Sequence, residues 1–171
     1  MKDNRGFSLL ELIIVIAILA IIVGFGLAGL GYIFGTNARA CANEIYSAIG
    51  KNRITTMGKD ETSLRIYRDG AAGVYFKQEW VDGIAAEDPD QVGKSTVEIA
   101  YWIKGDTTEY ILDGTTELII TFDRASGKES DLPVTVNGVS TQGVLCERIE
   151  VRGGGRVYTV RIEPATGKVT K

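Results

Sequence analysis

The residues that could do chemistry in this chain are few and unevenly spaced. Glu11 stands at the head of an apolar run: from Leu12 to Gly35, 24 residues, no side chain is charged and only Tyr32 is polar. A carboxylate costs about 2.5–3.5 kcal/mol at mid-bilayer, and less near the interface, so it asks for a partner. Cys41 and Cys146 are the two thiols, and histidine is absent. That removes the commonest metal ligand and the usual general base near neutral pH. Two cysteines cannot complete a four-ligand zinc site. No metal and no cofactor is expected. There is no G-x-S-x-G, and Glu147 and Glu150 read as solvated strand positions, so no enzyme is expected. Late in the chain Arg148, Arg152, Arg156, Arg161, Lys168 and Lys171 could meet phosphates, but Glu147, Glu150 and Glu163 interrupt them. The net charge of −3 argues against a nucleic-acid surface spread over the whole chain.

These groups must be held by a small set of elements. The length of 171 residues suits about one domain. The apolar run exceeds the roughly 20 residues that a helix needs to cross hydrocarbon. It is longer than the core of a cleaved secretory signal. Lys2 and Arg5 before it put the N-terminus inside and the remainder outside. Ala38, Cys41, Ala42, Ile45, Ala48 and Ile49 continue with helical spacing, and Gly58 is a good stop. One helix of about 50 residues is expected, from Phe7 to near Met57. Gly24, Gly26, Gly29, Gly31 and Gly35 fit either local unwinding or close packing through small residues.

Beyond Gly58 the pattern is β. Strands are expected over 63–68, 74–79, 97–103, 109–112, 117–122, 134–136, 145–151, 156–162 and 168–170, with turns such as Asp69-Gly70 and Asn137-Gly138 between them. Residues 82–95 read as an acidic surface loop, and Gly153-Gly154-Gly155 as a flexible hairpin tip. Phe122-Asp123-Arg124-Ala125-Ser126-Gly127-Lys128 is echoed by Ile162-Glu163-Pro164-Ala165-Thr166-Gly167-Lys168. Both read as tight turns; no helix follows either, which speaks against phosphate binding. The fold class is α+β: a long N-terminal helix, membrane-spanning in its first half, packed by antiparallel sheets. The expected divisions are a leader at 1–6, a membrane and assembly segment at 7–35, and an extracytoplasmic domain at 36–171.

Arg5-Gly6-Phe7-Ser8-Leu9-Leu10-Glu11-Leu12, followed by the apolar run, resembles the prepilin signal of type IV pilins and type II secretion pseudopilins. The resemblance implies cleavage between Gly6 and Phe7 by a prepilin peptidase, which is also the methyltransferase for the new N-terminal Phe7. It implies that Glu11 meets the N-terminal amine of a neighbouring subunit, with other pilin or pseudopilin subunits and the bacterial inner membrane as partners. The chain departs from many pilins in having no proline in the apolar helix; its first is Pro89. The paired strand–turn units make residues 38–171 look like the H-type minor pseudopilins and FimT-like minor pilins. That likeness implies a minor structural subunit of a pilus or pseudopilus. The alternative it implies is a DNA-binding minor pilin for DNA uptake, in which Arg152, Arg156, Arg161 and Lys168 would contact nucleic acid.

The cysteines leave two readings. A Cys41–Cys146 disulfide would form outside the membrane, where oxidation is allowed, and would close a loop worth nearly 5 kcal/mol in the chain-entropy view. Two separate buried thiols fit equally. Cys146 is out of phase with Leu145, Ile149 and Val151, so without a bulge it faces away from them.

Overall fold

The computed structural model describes residues 9–58, 61–136 and 139–171, apart from the side chains of 25–30 and 136. Helix α1 runs unbroken over Leu9–Gly58, about 75 Å at 1.5 Å per residue. The run Ile13-Ile14-Val15-Ile16 is β-branched and of middling helix propensity. It is helical because no proline interrupts it and because an apolar segment can satisfy its backbone groups only from within. The backbone of Gly24–Gly35 is also helical in the single chain.

Thirteen strands follow among the described residues. They are β1 (Thr62–Arg68), β2 (Tyr75–Val81), β3 (Ile84–Ala85), β4 (Asp90–Gly93), β5 (Glu98–Ile103), β6 (Tyr110–Ile111) and β7 (Glu117–Phe122). Then come β8 (Glu129–Ser130), β9 (Pro133–Val136), β10 (Val139–Gln142), β11 (Cys146–Gly153), β12 (Arg156–Glu163) and β13 (Lys168–Thr170). One sheet has the order β3-β2-β1-β7-β8, with β4 also pairing β2; a second has the order β13-β12-β11-β5-β6. β9 and β10 form a separate hairpin. Every pairing is antiparallel. The chain is α+β, as expected.

Both sheets close on the second half of α1. Ala38, Cys41, Ala42, Ile45, Ala48 and Ile49 are buried in one stripe, against Leu64, Ile66, Leu118 and Ile120 of the first sheet and Ile149, Val151, Val160 and Ile162 of the second. Four of the six stripe residues are Ala or Cys, so the strands approach the helix closely. Each fully buried Ile or Leu contributes about 1.5–3 kcal/mol of transfer free energy. Ile119, on the other face of β7, is covered with Trp80 by Val134 of the β9–β10 hairpin. That explains why β7 reads as a continuous apolar run rather than an alternating one.

The segment expected as an acidic loop contains β3 and β4. Asp90-Gln91-Val92-Gly93 has one large apolar residue, too few for alternation to show, yet Val92 is buried. The turn expected at Asn137-Gly138 lies outside the described residues. At β11 the register to β5 shifts between Cys146 and Arg148. This bulge restores the phase, so Cys146 is buried with Ile149 and Val151.

Candidate functional site: the apolar helix and the two seats that hold it

The first half of α1 offers an apolar surface all round. Every large side chain from Leu9 to Val23 is 46–76% exposed, and Glu11 is the one charged residue between Leu9 and Ala38. Among the described residues no helix is long and apolar enough to cross a membrane. The first unbroken stretch of described side chains, 9–24, is 16 residues long, short of the roughly 20 required. The expected cleavage and methylation site, Gly6 and Phe7, lies outside the described residues.

Where α1 enters the β domain it is held by backbone contact. The turn between β11 and β12 lies on the helix: a Cβ on Gly153 would stand 2.9 Å from the Phe34 carbonyl oxygen and 3.1 Å from the Ala38 Cβ. A Cβ on Gly154 would overlap the Gly31 carbonyl oxygen and stand 2.6 Å from the Gly35 nitrogen. Gly154 is also at φ 59°, a conformation that side chains resist. Gly153 and Gly154 therefore form a packed contact and not the flexible tip expected, while Gly155 faces open space. Gly31 and Gly35 do serve close packing, with the chain's own hairpin as the partner. This seat reaches helix residues on the anchor side of the boundary expected at 35/36.

Near its C-terminal end the helix is held by one side chain. Arg53 donates from Nε to the Gly127 carbonyl at 2.9 Å and from a terminal nitrogen to the Thr166 carbonyl at 3.0 Å. The two acceptors belong to the two echoed turns, which are built alike. Gly127 and Gly167 donate to the carbonyls of Asp123 and Glu163 at 2.8 and 2.7 Å. The Lys128 and Lys168 amides each donate to the Ser126 or Thr166 hydroxyl at 3.3 Å. The turns also touch each other: a Cβ on Gly167 would overlap the Gly127 carbonyl oxygen and stand 2.8 Å from Arg53 Nε. Arg53 carried no signal in the sequence beyond being a polar residue on a helix.

The four basic residues considered for nucleic acid do not form one patch. Arg152 is committed to three carboxylates, Glu109 at 2.6 Å, Glu150 at 2.9 Å and Glu98 at 3.2 Å. Arg156 has the parity of the buried Val160 and Ile162 and lies along α1, with its Cδ 3.1 Å from a Cβ built on Gly35. Arg161 is on the opposite face of β12, in register with Arg148, whose guanidinium lies 4.0 Å over the Trp102 ring. Arg152 faces Val157, four residues from Arg161, about 13 Å at strand spacing. Lys168 is exposed on β13.

Cys41 and Cys146 are buried free thiols. Gly153 abuts Ala38, and Cys146 lies seven residues along the strand from Gly153, about 23 Å. Cys41 is one helical turn from Ala38, far beyond the roughly 7 Å between Cα atoms that a disulfide allows. Burial pushes the Cys41 thiol up to about 12, and raises that of Cys146 as well. Cys146 marks a second polar feature of the core. Its amide donates to Glu129 Oε1 at 2.8 Å, tying β8 of one sheet to β11 of the other. Glu129 is only 6% exposed, and its Oε2 has no hydrogen-bond partner among the described residues. Burial pushes its carboxyl up to about 8, against the lowering effects of the Cys146 amide and of Lys104.

Among the described residues no group of three or more His, Cys, Asp or Glu is placed to hold a metal. A family model described as the prokaryotic N-terminal methylation motif matches residues 1–27. The match marks the N-terminus as a type IV pilin-like prepilin signal and ends before the β-sheets begin. No curated protein and no solved structure matches the chain.

Proposed function

We propose that this chain is the precursor of a structural subunit, of the minor H-like type, in a type IV pilus or a type II secretion pseudopilus. The observation that carries this reading is the contrast within α1. Its first half is apolar on every side and lies largely within the methylation motif, while its second half is gripped by two sheets. Such a surface needs hydrocarbon or other helices around it. The chain is read as leaving the leader 1–6 to a prepilin peptidase, gaining a methyl group on Phe7, and sitting single-pass in the inner membrane with its β domain outside. On assembly the apolar half moves from lipid into a core of like helices. There the Phe7 ammonium and Glu11 of adjacent subunits neutralise each other, since neither charge tolerates dry surroundings alone. The DNA-uptake reading gains little support from arginines that are bound by acids or face opposite ways.

The test is processing followed by incorporation. Mass spectrometry of the purified protein is expected to find a chain beginning at methylated Phe7. Glu11→Gln should still insert but be depleted from sheared filaments relative to the membrane pool. A mature chain that retains residues 1–6 would overturn the reading, and equal incorporation of Glu11→Gln and wild type would overturn the charge pairing.

A further inference from the structure

We propose that the β11–β12 tip is a membrane foot, with Arg156, Arg39 and Lys94 taking the phosphates of anionic phospholipids around the point where α1 leaves the domain. The inference rests on the membrane-anchor reading above and adds what the domain itself touches. The interval from Leu12 to Tyr32 is 20 residues (32 − 12), about 30 Å of helix and so one hydrocarbon thickness. Tyr32, 65% exposed, falls at the interface that tyrosines favour. Gly154 rests on the Gly31 carbonyl, so the tip reaches down to that same level. Gly35 stands four residues higher, about 6 Å, within the headgroup layer.

The charges on the helix side of this level are basic. The stem of Arg156 lies against Gly35 while the residue as a whole is exposed. Arg39 is exposed one turn further up, four residues from Gly35 and so on the same helix face. Lys94 is exposed in the β4–β5 loop, which is docked to the helix where Asn37 Nδ2 donates to Thr96 Oγ1 at 3.2 Å. Of the nearby acids, Glu98, Glu109 and Glu150 gather on Arg152, on the face of the sheet opposite Arg156, and the Asp69 carboxylate accepts the amides of Ala71 and Ala72 in its own turn. Basic residues just beyond a span run against the charge bias of short loops, but a large translocated domain escapes that bias. Their position is accounted for by the lipid phosphates that lie at this depth.

The experiment uses the full mature chain in vesicles of phosphatidylcholine alone or mixed with phosphatidylglycerol. A fluorophore is placed at Val157→Cys, an exposed site beside Arg156, and quenched by lipids that carry a nitroxide near the headgroup. Quenching is expected to be strong with phosphatidylglycerol and weak without it. Arg156→Gln should shift the ratio of resting to lifted domain about fivefold, the effect of one basic residue at an anionic surface. Lys128→Gln, by the turn under Arg53, should change nothing. Insertion with equal quenching in both vesicles, or with Arg156→Gln like wild type, overturns the foot and leaves the anchor standing. A chain that does not enter vesicles at all overturns both. If Arg156→Gln instead weakens only binding to a DNA duplex, the arginine belongs to nucleic acid and the proposal fails.

Discussion

The same helix is held at two levels by opposite means. At the foot the β11–β12 tip has no side chain between its backbone and that of Gly31–Gly35. At the head Arg53 reaches out and hydrogen-bonds two carbonyls on two turns. A contact between backbones has no slack, because every atom that could yield is part of a helix or a strand. A contact through a long side chain can adjust by rotamer. The foot should therefore be the brittle seat and the head the forgiving one, and the foot is the one that lies where apolar helix meets polar domain.

Gly154→Ala breaks the brittle seat most directly. The new Cβ meets backbone atoms of α1 that cannot move aside, and it must also adopt φ 59°. We expect a loss of about 4 kcal/mol or more, a large part of a domain's net stability. Gly155→Ala is the matched control: its φ is 72° but its Cβ would point into open space. It should lose only about 1 kcal/mol, the backbone penalty by itself. Denaturant midpoints of the two variants in the same detergent would check this. Equal losses would mean that the tip does not press on the helix.

Beside the head, two residues beyond Gly127, is the link from Glu129 to Cys146, and it should make stability depend on pH. The folded chain holds this proton up to about pH 8, while an unfolded glutamate releases it above its ordinary value of 4.5. The folded state thus binds more protons within that window. Stability is fully present below about pH 4.5, falls as pH rises toward 8, and then levels off. The total fall should be at most about 5 kcal/mol. Glu129→Gln should flatten it, since the amide stays neutral and its oxygen can still accept from Cys146. Melting curves across this range would show the slope vanish, and an unchanged slope would move the titration elsewhere. At the head, Arg53→Ala should lose about 2 kcal/mol, for two carbonyls stripped of their donor. Arg53→Lys should fall between, because one ammonium cannot reproduce the two-pronged guanidinium.

How much of this was legible depends on whether the signal is local. The stripe from Ala38 to Ile49 and the alternation of β1 and β12 are periodic, so the sequence displays them. β7 and β13 have the bounds that their residues imply. β4 and β8 are short and polar and owe their existence to the strands beside them, which no local pattern reveals. The triple glycine shows in sequence that the backbone is free, but not that another backbone occupies the space where side chains would be. Both echoed turns were readable as turns; that they touch, and share Arg53, is a property of the folded chain alone. The Cys146 bulge is likewise set by pairing with β5.

The smallest expected effect concerns the thiols, and it sharpens the comparison by excluding a third point of attachment. A Cys41–Cys146 bond would fasten α1 to β11 covalently between foot and head, and the difference between the two seats would then matter less. On that reading, reduction should lower stability by nearly 5 kcal/mol, the loop-closure value for a crosslink of that span. The structure has both cysteines free and buried, and burial holds both thiols protonated. Reductant should then leave the denaturant midpoint unchanged. Iodoacetamide should fail to label the folded chain, because the thiolate is the reacting species and neither sulfur is accessible. After unfolding without reductant, both cysteines should be labelled in full, and mass spectrometry would count two adducts. Fewer than two under those conditions would mean an oxidised pair, and α1 would have to shift along β11 by several residues to allow it.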